Sequence, residues 1–392
     1  MSYNHPGGKN SMVTIKEVLT RKERRQFADF PNHLYRGVPQ YVPGFLSDDI
    51  SDWDPRKNPA AVYCDFKCFL AYKDGKIVGR IGAILSHRAN EKWHTNRMRF
   101  SCVDFIDDPE VSAALFAAVE HYATEMNCNE VHGPLGFSDL DREGMLVEGF
   151  DRRSCFFTYY NYPYYIDHLS RLGYVKDVDW IEYLLRVPEE ERMRRINRLS
   201  ELVLKRYRLR KVSVTSTAQY PDYIEKVFHL VNIAYAGLYG TVELTERQIS
   251  RYAKKFAPLV NPKLFCAVEN EDGELIAFGV CAPSVASALK KSDGRLFPFG
   301  FIGVLKAFRE NDTIDLFLTA VHPDYQGRGV NAVLISHAWQ GCRDIGIQWA
   351  ETGPQLEQNM KILSQWNAFD KDQHKRRRCF IKHLPAVEQE SK

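Results

Sequence analysis

Two stretches of the chain place apolar runs around the same turn. FLAYKDGKIVGRIGAIL, from Phe69, and FCAVENEDGELIAFGVCA, from Phe265, are each two strand patterns joined by Asp-Gly, at Asp74-Gly75 and Asp272-Gly273. Both residues of that pair tolerate positive φ, so each stretch predicts a β-hairpin. FSCVDFI (100–106) then precedes the helical pattern PEVSAALFAAVEHYATEM and the short NEVHGP; IDLFLTAV likewise precedes a helix through VLISHAWQGCRD and then QWAETGP. Each half opens on a short strand pattern, MVTIKEV or LRKVSVT, followed by one or two helices. In the second half, Ile224, Val227, Phe228, Val231 and Ala234 recur at helical spacing and form one apolar face.

The same order of elements is therefore written twice: β, α, α, a β-hairpin, β, α, β, α, β. That order predicts an α/β (α+β) protein of two tandem units, each a mixed, mostly antiparallel sheet flanked by helices. From Asp74 to Asp272 is 198 residues, whereas from Gly133 to Gly353 is 220, so the second unit has gained about 22 residues. Most of the excess falls between Ala282 and Asn311, a stretch with Pro283, Gly294, Pro298 and Gly300 that reads as an inserted loop. The units are expected at 12–187 and 208–386. The connector, 188–207, is a basic helix that starts at Pro188 with acids in its first turn, opposing the helix dipole.

Composition narrows the class. With 392 residues, 44% hydrophobic and 26% charged, the chain can fill two or three cores and is too balanced to be disordered. It has no run of about 18 apolar residues, and MSYNHPGGKNSM lacks the layout of a secretory signal, so a cytoplasmic protein with no membrane partner is expected. The nine cysteines form no C-x-x-C pair and mostly sit in apolar runs, which predicts buried reduced thiols and no metal. The net charge of +3 is too small to imply nucleic acid by itself, but residues 192–211 hold nine basic side chains against one glutamate.

VHPDYQGRGVNAVL (321–334) follows a strand pattern and opens a helix. Backbone N–H groups in such a turn have no helical partner and converge on one spot, where a phosphate fits. Gly327 and Gly329 let the phosphate approach the backbone, and Arg328 adds charge. Gly327 to Ala332 also satisfies G-x-G-x-x-G/A, with Glu351 placed like a ribose acid. In a dinucleotide fold, however, the first glycine comes almost directly after the strand and the motif opens its domain. Here His322 to Gln326 intervene, and the motif follows a hairpin.

Val321, Pro323, Gln326 and Gly329 match, in order and spacing, the signature of the Gcn5-related N-acetyltransferase superfamily, which this chain resembles. Asn331 departs from the small residue the signature prefers. The resemblance implies acetyl-CoA or another acyl-CoA as cofactor. Its pantetheine would lie along Thr319, Ala320 and Val321, and its pyrophosphate at Gln326, Gly327, Arg328, Gly329, Val330 and Asn331. It further implies acyl transfer to the amine of a small molecule or peptide. Glu351 is the expected base, with an exposed strand-end carboxylate as the alternative; His322 is the second candidate. Asn359 fits a family position near a helix start, but Trp366 stands where the family commonly has a tyrosine acid, and an indole cannot serve as one.

The first unit lacks the glycine turn. Asp107, Asp108 and Glu110 sit where phosphate would need N–H groups, so this unit is expected to bind no CoA. It carries instead an aromatic run in which Tyr159, Tyr160, Tyr162, Tyr164 and Tyr165 are candidates for a substrate pocket facing the second unit. Two other function classes remain open: an acyl-CoA-binding or sensing module without turnover, and a transfer-RNA-dependent aminoacyl transferase using the basic connector. The connector has no aromatic interleaving beyond Tyr207, which argues against single-stranded nucleic acid.

Overall fold

The computed structural model describes residues 12–385 except 213, 215, 217 and 218. Residues 1–11, and residue 386, the expected end of the second unit, lie outside the described residues. The N-terminal half runs β1 (Thr14–Glu17), α1 (Arg21–Leu34), α2 (Leu46–Asp52), β2 (Cys64–Lys73), β3 (Lys76–Ser86), α3 (His87–Trp93), β4 (Arg97–Phe105), α4 (Pro109–Glu125), β5 (Glu130–Gly133), β6 (Met145–Glu148), α5 (Tyr164–Arg171) and β7 (Val175–Arg186). The connector helix is α6 (Glu190–Arg206). The C-terminal half runs β8 (Arg210–Val212), α7 (Tyr220–Ala234), α8 (Glu246–Phe256), β9 (Phe265–Glu269), β10 (Leu275–Pro283), α9 (Ala286–Lys291), α10 (Gly300–Ala307), β11 (Thr313–Val321), α11 (Asn331–Asp344), β12 (Trp349–Thr352), β13 (Gln355–Leu356), α12 (Met360–Leu363) and β14 (Lys371–His383).

The hairpin turns form where Asp-Gly predicts them. Asp74 and Gly75 both take positive φ, 51° and 74°, between β2 and β3, and Gly273 takes 78° between β9 and β10. All ladders are antiparallel except β4–β5 and β11–β12, the pair in each unit that is separated by a crossover helix.

The halves are nevertheless not separate bodies. The main path of the sheet is β1-β2-β3-β4-β5-β14-β7-β12-β11-β10-β9-β8. The last strand of each half has crossed over: β14 pairs with β5 of the first unit, and β7 with β12 of the second. The two exchanged strands also pair with each other from Lys371↔Leu185 to Ile381↔Val175. Division of the chain at the connector therefore does not divide the sheet. Residues in β7 alternate between two cores: Val178 and Trp180 pack with Leu135 and Cys379, whereas Ile181, Tyr183 and Leu185 pack with Ile314, Trp339 and Trp366.

Because each unit's open edge is closed by a strand from the other half, neither half has a complete sheet. Expressed separately, residues 12–187 and 188–385 should each lack a cooperative thermal transition by circular dichroism. Co-expressed, they should co-purify and melt as one species.

Candidate active site

In the second unit the site begins with an irregular strand. Val280 opposes Leu318 and Cys281 opposes Leu316, so Phe317 is an extra residue, a β-bulge on β11. Pairing between β11 and β12 stops at Leu316↔Thr352, one residue before the bulge. A bulge bends and twists its strand, and here the rest of β11 leaves β12 unpaired beyond it. β11 then enters the turn. Gln326 donates its side-chain amide to the Val321 carbonyl at 3.1 Å, and Gly327 and Gly329 take φ of 73° and 79°. Among the described residues, no acceptor bonds the backbone N–H groups from Gly327 to Asn331. Val330, which precedes α11, supplies no side-chain cap, and the first helical bonds are donated by Ala332 and Val333. Five amides are thus left for a ligand at the positive end of α11.

The connector helix supports this turn from behind. Val203 on α6 lies 3.3 Å from where a Cβ on Gly329 would stand, and it packs with Val330, Val333 and Leu334. The Arg328 guanidinium lies 5.6 Å from the Tyr207 ring centre and 5.2 Å from that of Tyr325, and is otherwise exposed. Asn331, the departure from the signature, donates its amide to Gln365 Oε1 at 3.3 Å and so ties the start of α11 to the segment after α12.

The expected chemical groups fall in different places. Glu351 is buried on β12, directly opposite Asp315 on β11, and is not an exposed strand-end carboxylate. The Lys375 ammonium of β14 bonds both Glu351 and Glu182 of β7, and Arg377 bonds Glu182 as well. Burial opposes ionisation of Glu182, yet Arg377 and Lys375 together hold its carboxyl below the usual range. Asp315 has no cation of its own. Burial, with the neighbouring Glu351, pushes its carboxyl up to about 7, and its Oδ2 has no hydrogen-bond partner. Cys155 reaches Asp315 Oδ1 at 3.9 Å from the first unit. Acids and His374 or Cys155 approach one another closely enough to suit a metal, but Lys375 already places a cation among them.

His322 lies at the turn and accepts the Asp324 N–H at 3.3 Å, while Asn359 caps α12 by accepting from Ile362 N at 3.4 Å. Both are engaged in local capping. Trp366 is a core residue whose indole donates to Gln355 at 2.9 Å. Tyr235, which sequence reasoning passed over, donates its hydroxyl to the Thr319 carbonyl at 2.9 Å, on the strand assigned to pantetheine. No sequence signal marks it, because it lies in the loop after α7.

The aromatic run divides between the units. Tyr165 is fully buried, stacked on Phe105 and bonded to Tyr35. Tyr160 and Tyr162 pack on Tyr35, and Tyr164 donates to Phe105 O at 2.6 Å, all within the first unit. Tyr159 lines an open cleft between the units, with Phe137, Phe156, Phe157 and, from the second unit, Lys255 and Phe256. Phe156 and Phe157, not the tyrosines, meet β11, each with its ring edge-on to Phe317 at 5.8 and 5.4 Å. Tyr159 also explains why the first unit offers no equivalent slot. β4 is irregular at Cys102, φ 46°, and leaves β5 after Arg99↔His132, but the Tyr159 hydroxyl fills the gap, within 3.4 Å of Cys102 N and 3.3 Å of Ser101 Oγ. At the start of α4 the Asp108 carboxylate caps Glu110 N and pairs with Lys73 at 2.7 Å, occupying the anion position.

A bulged strand that parts from its parallel neighbour and leads into a helix is present twice, with the unpaired turn only in the second copy, and the chain has the acyltransferase-like fold of the Gcn5-related N-acetyltransferases in tandem. It matches the tandem GNAT protein of the clavulanic acid biosynthesis pathway with a TM-score of 0.54 at 11% identity, over 96% of this chain and 100% of that one. In sequence it is 26% identical over 376 residues to Protein YghO of Escherichia coli (strain K12), spanning 94% of this chain and 95% of that protein. It is 25% identical over 302 residues to the bacterial ceramide synthase of Caulobacter vibrioides (strain NA1000 / CB15N), 76% of each chain. No protein-family model matches it.

Asp315 gives a pH test. Its folded value, about 7, exceeds the ordinary 3.8, so the stability it permits is fully present below about pH 4 and is lost as pH rises through 7. Asp315→Asn should therefore melt close to the parent near pH 4 and several degrees above it at pH 8. Parallel Tm-against-pH curves for the two proteins would contradict this.

Proposed function

We propose that the protein is an acyl-CoA-dependent N-acyltransferase whose second unit binds the cofactor. The observation that carries the reading is the set of unbonded amides from Gly327 to Asn331 at the end of a splayed strand, where the first unit has an aspartate cap and a tyrosine plug. Pyrophosphate would be held by those amides with Arg328, and pantetheine by the free edge of Thr319, Ala320 and Val321. Acyl-CoA supplies an activated thioester at that edge.

The chain's own groups supply the proton transfers. Asp315 takes the proton of the attacking amine, since its Oδ2 is unpartnered and its carboxyl exchanges near neutral pH. Burial, and after it the neighbouring Glu351 held by Lys375, keeps Asp315 from ionising early. Tyr235 stands in for the acid missing at Trp366. Its hydroxyl proton lies on the Thr319 carbonyl, beside the edge assigned to the thioester, although burial raises the phenol and makes it a weak acid. The acceptor enters by the cleft between the units, past Phe156 and Phe157. An aromatic lining of this kind, together with the ceramide synthase relative, favours a long-chain amine, because a ceramide is an amide on the amine of a long-chain amino alcohol.

Calorimetry with acetyl-CoA and palmitoyl-CoA should show micromolar binding of at least one donor. A bulky side chain at Gly329 would meet Val203 and strain a positive φ, so Gly329→Leu should weaken binding by at least about tenfold, roughly 1.4 kcal/mol. Unchanged affinity would remove the turn as the site. With a long-chain amine as acceptor, thiol release should accompany amide formation, and kcat/KM should rise through about pH 7. Asp315→Asn should lose that rise and most of the rate, while binding without release across amines would identify a non-catalytic module.

A further inference from the structure

The 282–311 insertion is not an irregular loop. It folds as α9 and α10, and its base is fixed to the first unit: Leu46 N bonds Gly294 O at 3.1 Å, Lys290 bonds Val38 O at 2.8 Å, and Arg295 pairs with Asp29 at 2.7 Å. Its inner side is apolar and continuous with the catalytic strand, since Leu289, Val304, Leu296 and Phe308 share a cluster with Phe156 and with Phe317 of β11. Its outer side is apolar too. Phe297 is 80% exposed, Phe299 74%, Leu305 58%, Ile302 54% and Phe301 40%. On α10, residues 301, 302 and 305 share the outward face, while Val304 points inward. Five large apolar side chains within nine residues form a contiguous exposed patch, which a freely soluble surface rarely keeps.

The charge around the patch selects its partner. With Lys290 and Arg295 tied to the first unit, the cations left on the insertion are Lys291, Lys306 and Arg309, against Asp293 and Glu310. Lys291 and Arg309 are exposed, and Lys306 is shared with Glu310 at 3.2 Å. Projecting aromatics with a basic surround match the headgroup boundary of an anionic bilayer, where rings enter the acyl boundary and cations meet phosphate. Among the described residues no helix is long and apolar enough to cross a membrane, so the contact would be peripheral.

We propose that the α9–α10 insertion docks the protein onto anionic lipid surfaces through Phe297, Phe299 and the outer face of α10. The expectation of no membrane partner rested on the absence of spanning segments; a surface contact is a separate matter. The inference does not depend on CoA binding, and its test contains no acyl donor, so the two readings can fail independently. The full chain is sedimented with vesicles of equimolar phosphatidylglycerol and phosphatidylcholine, and with pure phosphatidylcholine vesicles. It should partition onto the mixed vesicles, with binding that weakens as salt rises. Phe297→Ser with Phe299→Ser should lower the partition at least about tenfold. Both side chains are exposed, so the double variant should keep the parent's melting temperature. No binding of the parent to either vesicle, or equal binding of parent and variant, overturns the proposal. So does a parent dimer that becomes monomeric in the variant without vesicle binding, which would make the patch a self-association face.

Discussion

The structure depends on the antiparallel pairing of two strands that have each left their own half. β7 and β14 lie side by side at the centre of the sheet, and every other strand is arranged outward from them. That position is nearly dry, yet it holds Glu182, Lys375 and Arg377, with Glu351 one strand further on. Burying so many charges costs more desolvation than most pairs return, so the cluster is weak as a source of stability. Its stronger effect is on register. A one-residue slip of β14 against β7 would turn Lys375 and Arg377 to the other face and leave Glu182 uncompensated in a low-dielectric interior. The pairing that joins the units therefore also sets the electrostatics beside the splayed strand, through Lys375 on Glu351 and Glu351 on Asp315.

Duplication leaves two copies of one scaffold that have diverged in how the same gap is filled. Both fourth strands are irregular and both part from their parallel neighbour. In the first unit a tyrosine hydroxyl bonds the strand and an aspartate takes the helix start, so that copy is closed by its own side chains. It contributes to the other site instead: the loop from Cys155 to Phe157 reaches Asp315 and Phe317.

What could be read from sequence was local. Asp-Gly hairpins, the glycine turn and the alternation of β and α patterns each depend on a few neighbouring residues, and the structure keeps them where the pattern puts them. The strand exchange was not legible, because nothing in the local sequence of β7 or β14 says which unit's edge it joins. The charge cluster was hidden for the same reason. In sequence HKRRR at 374–378 is only a basic cluster, whereas its Lys375 and Arg377 are fully buried against Glu182 and Glu351. Tyr235 and the two phenylalanines carry no motif, since only the fold brings them to β11. The insertion was visible by length but not by character. Its prolines and glycines spoke for a loop, while GFIGVLKA, which follows Pro298, is a helix with an apolar side outward.

The exchange also governs how the chain can be made. Glu130 pairs with His383, so the outer edge of β5 has no partner until residues up to 383 have left the ribosome. Until then, β5 and β7 present open edges and half-buried apolar faces while synthesis continues at several residues per second. Domain-by-domain folding during synthesis, the usual protection of a two-unit protein, is closed to this topology. The first half must wait, compact but unfinished, for the final strand. During synthesis of this topology the edge that β14 closes stays open for about tens of seconds, which a two-unit chain without strand exchange avoids.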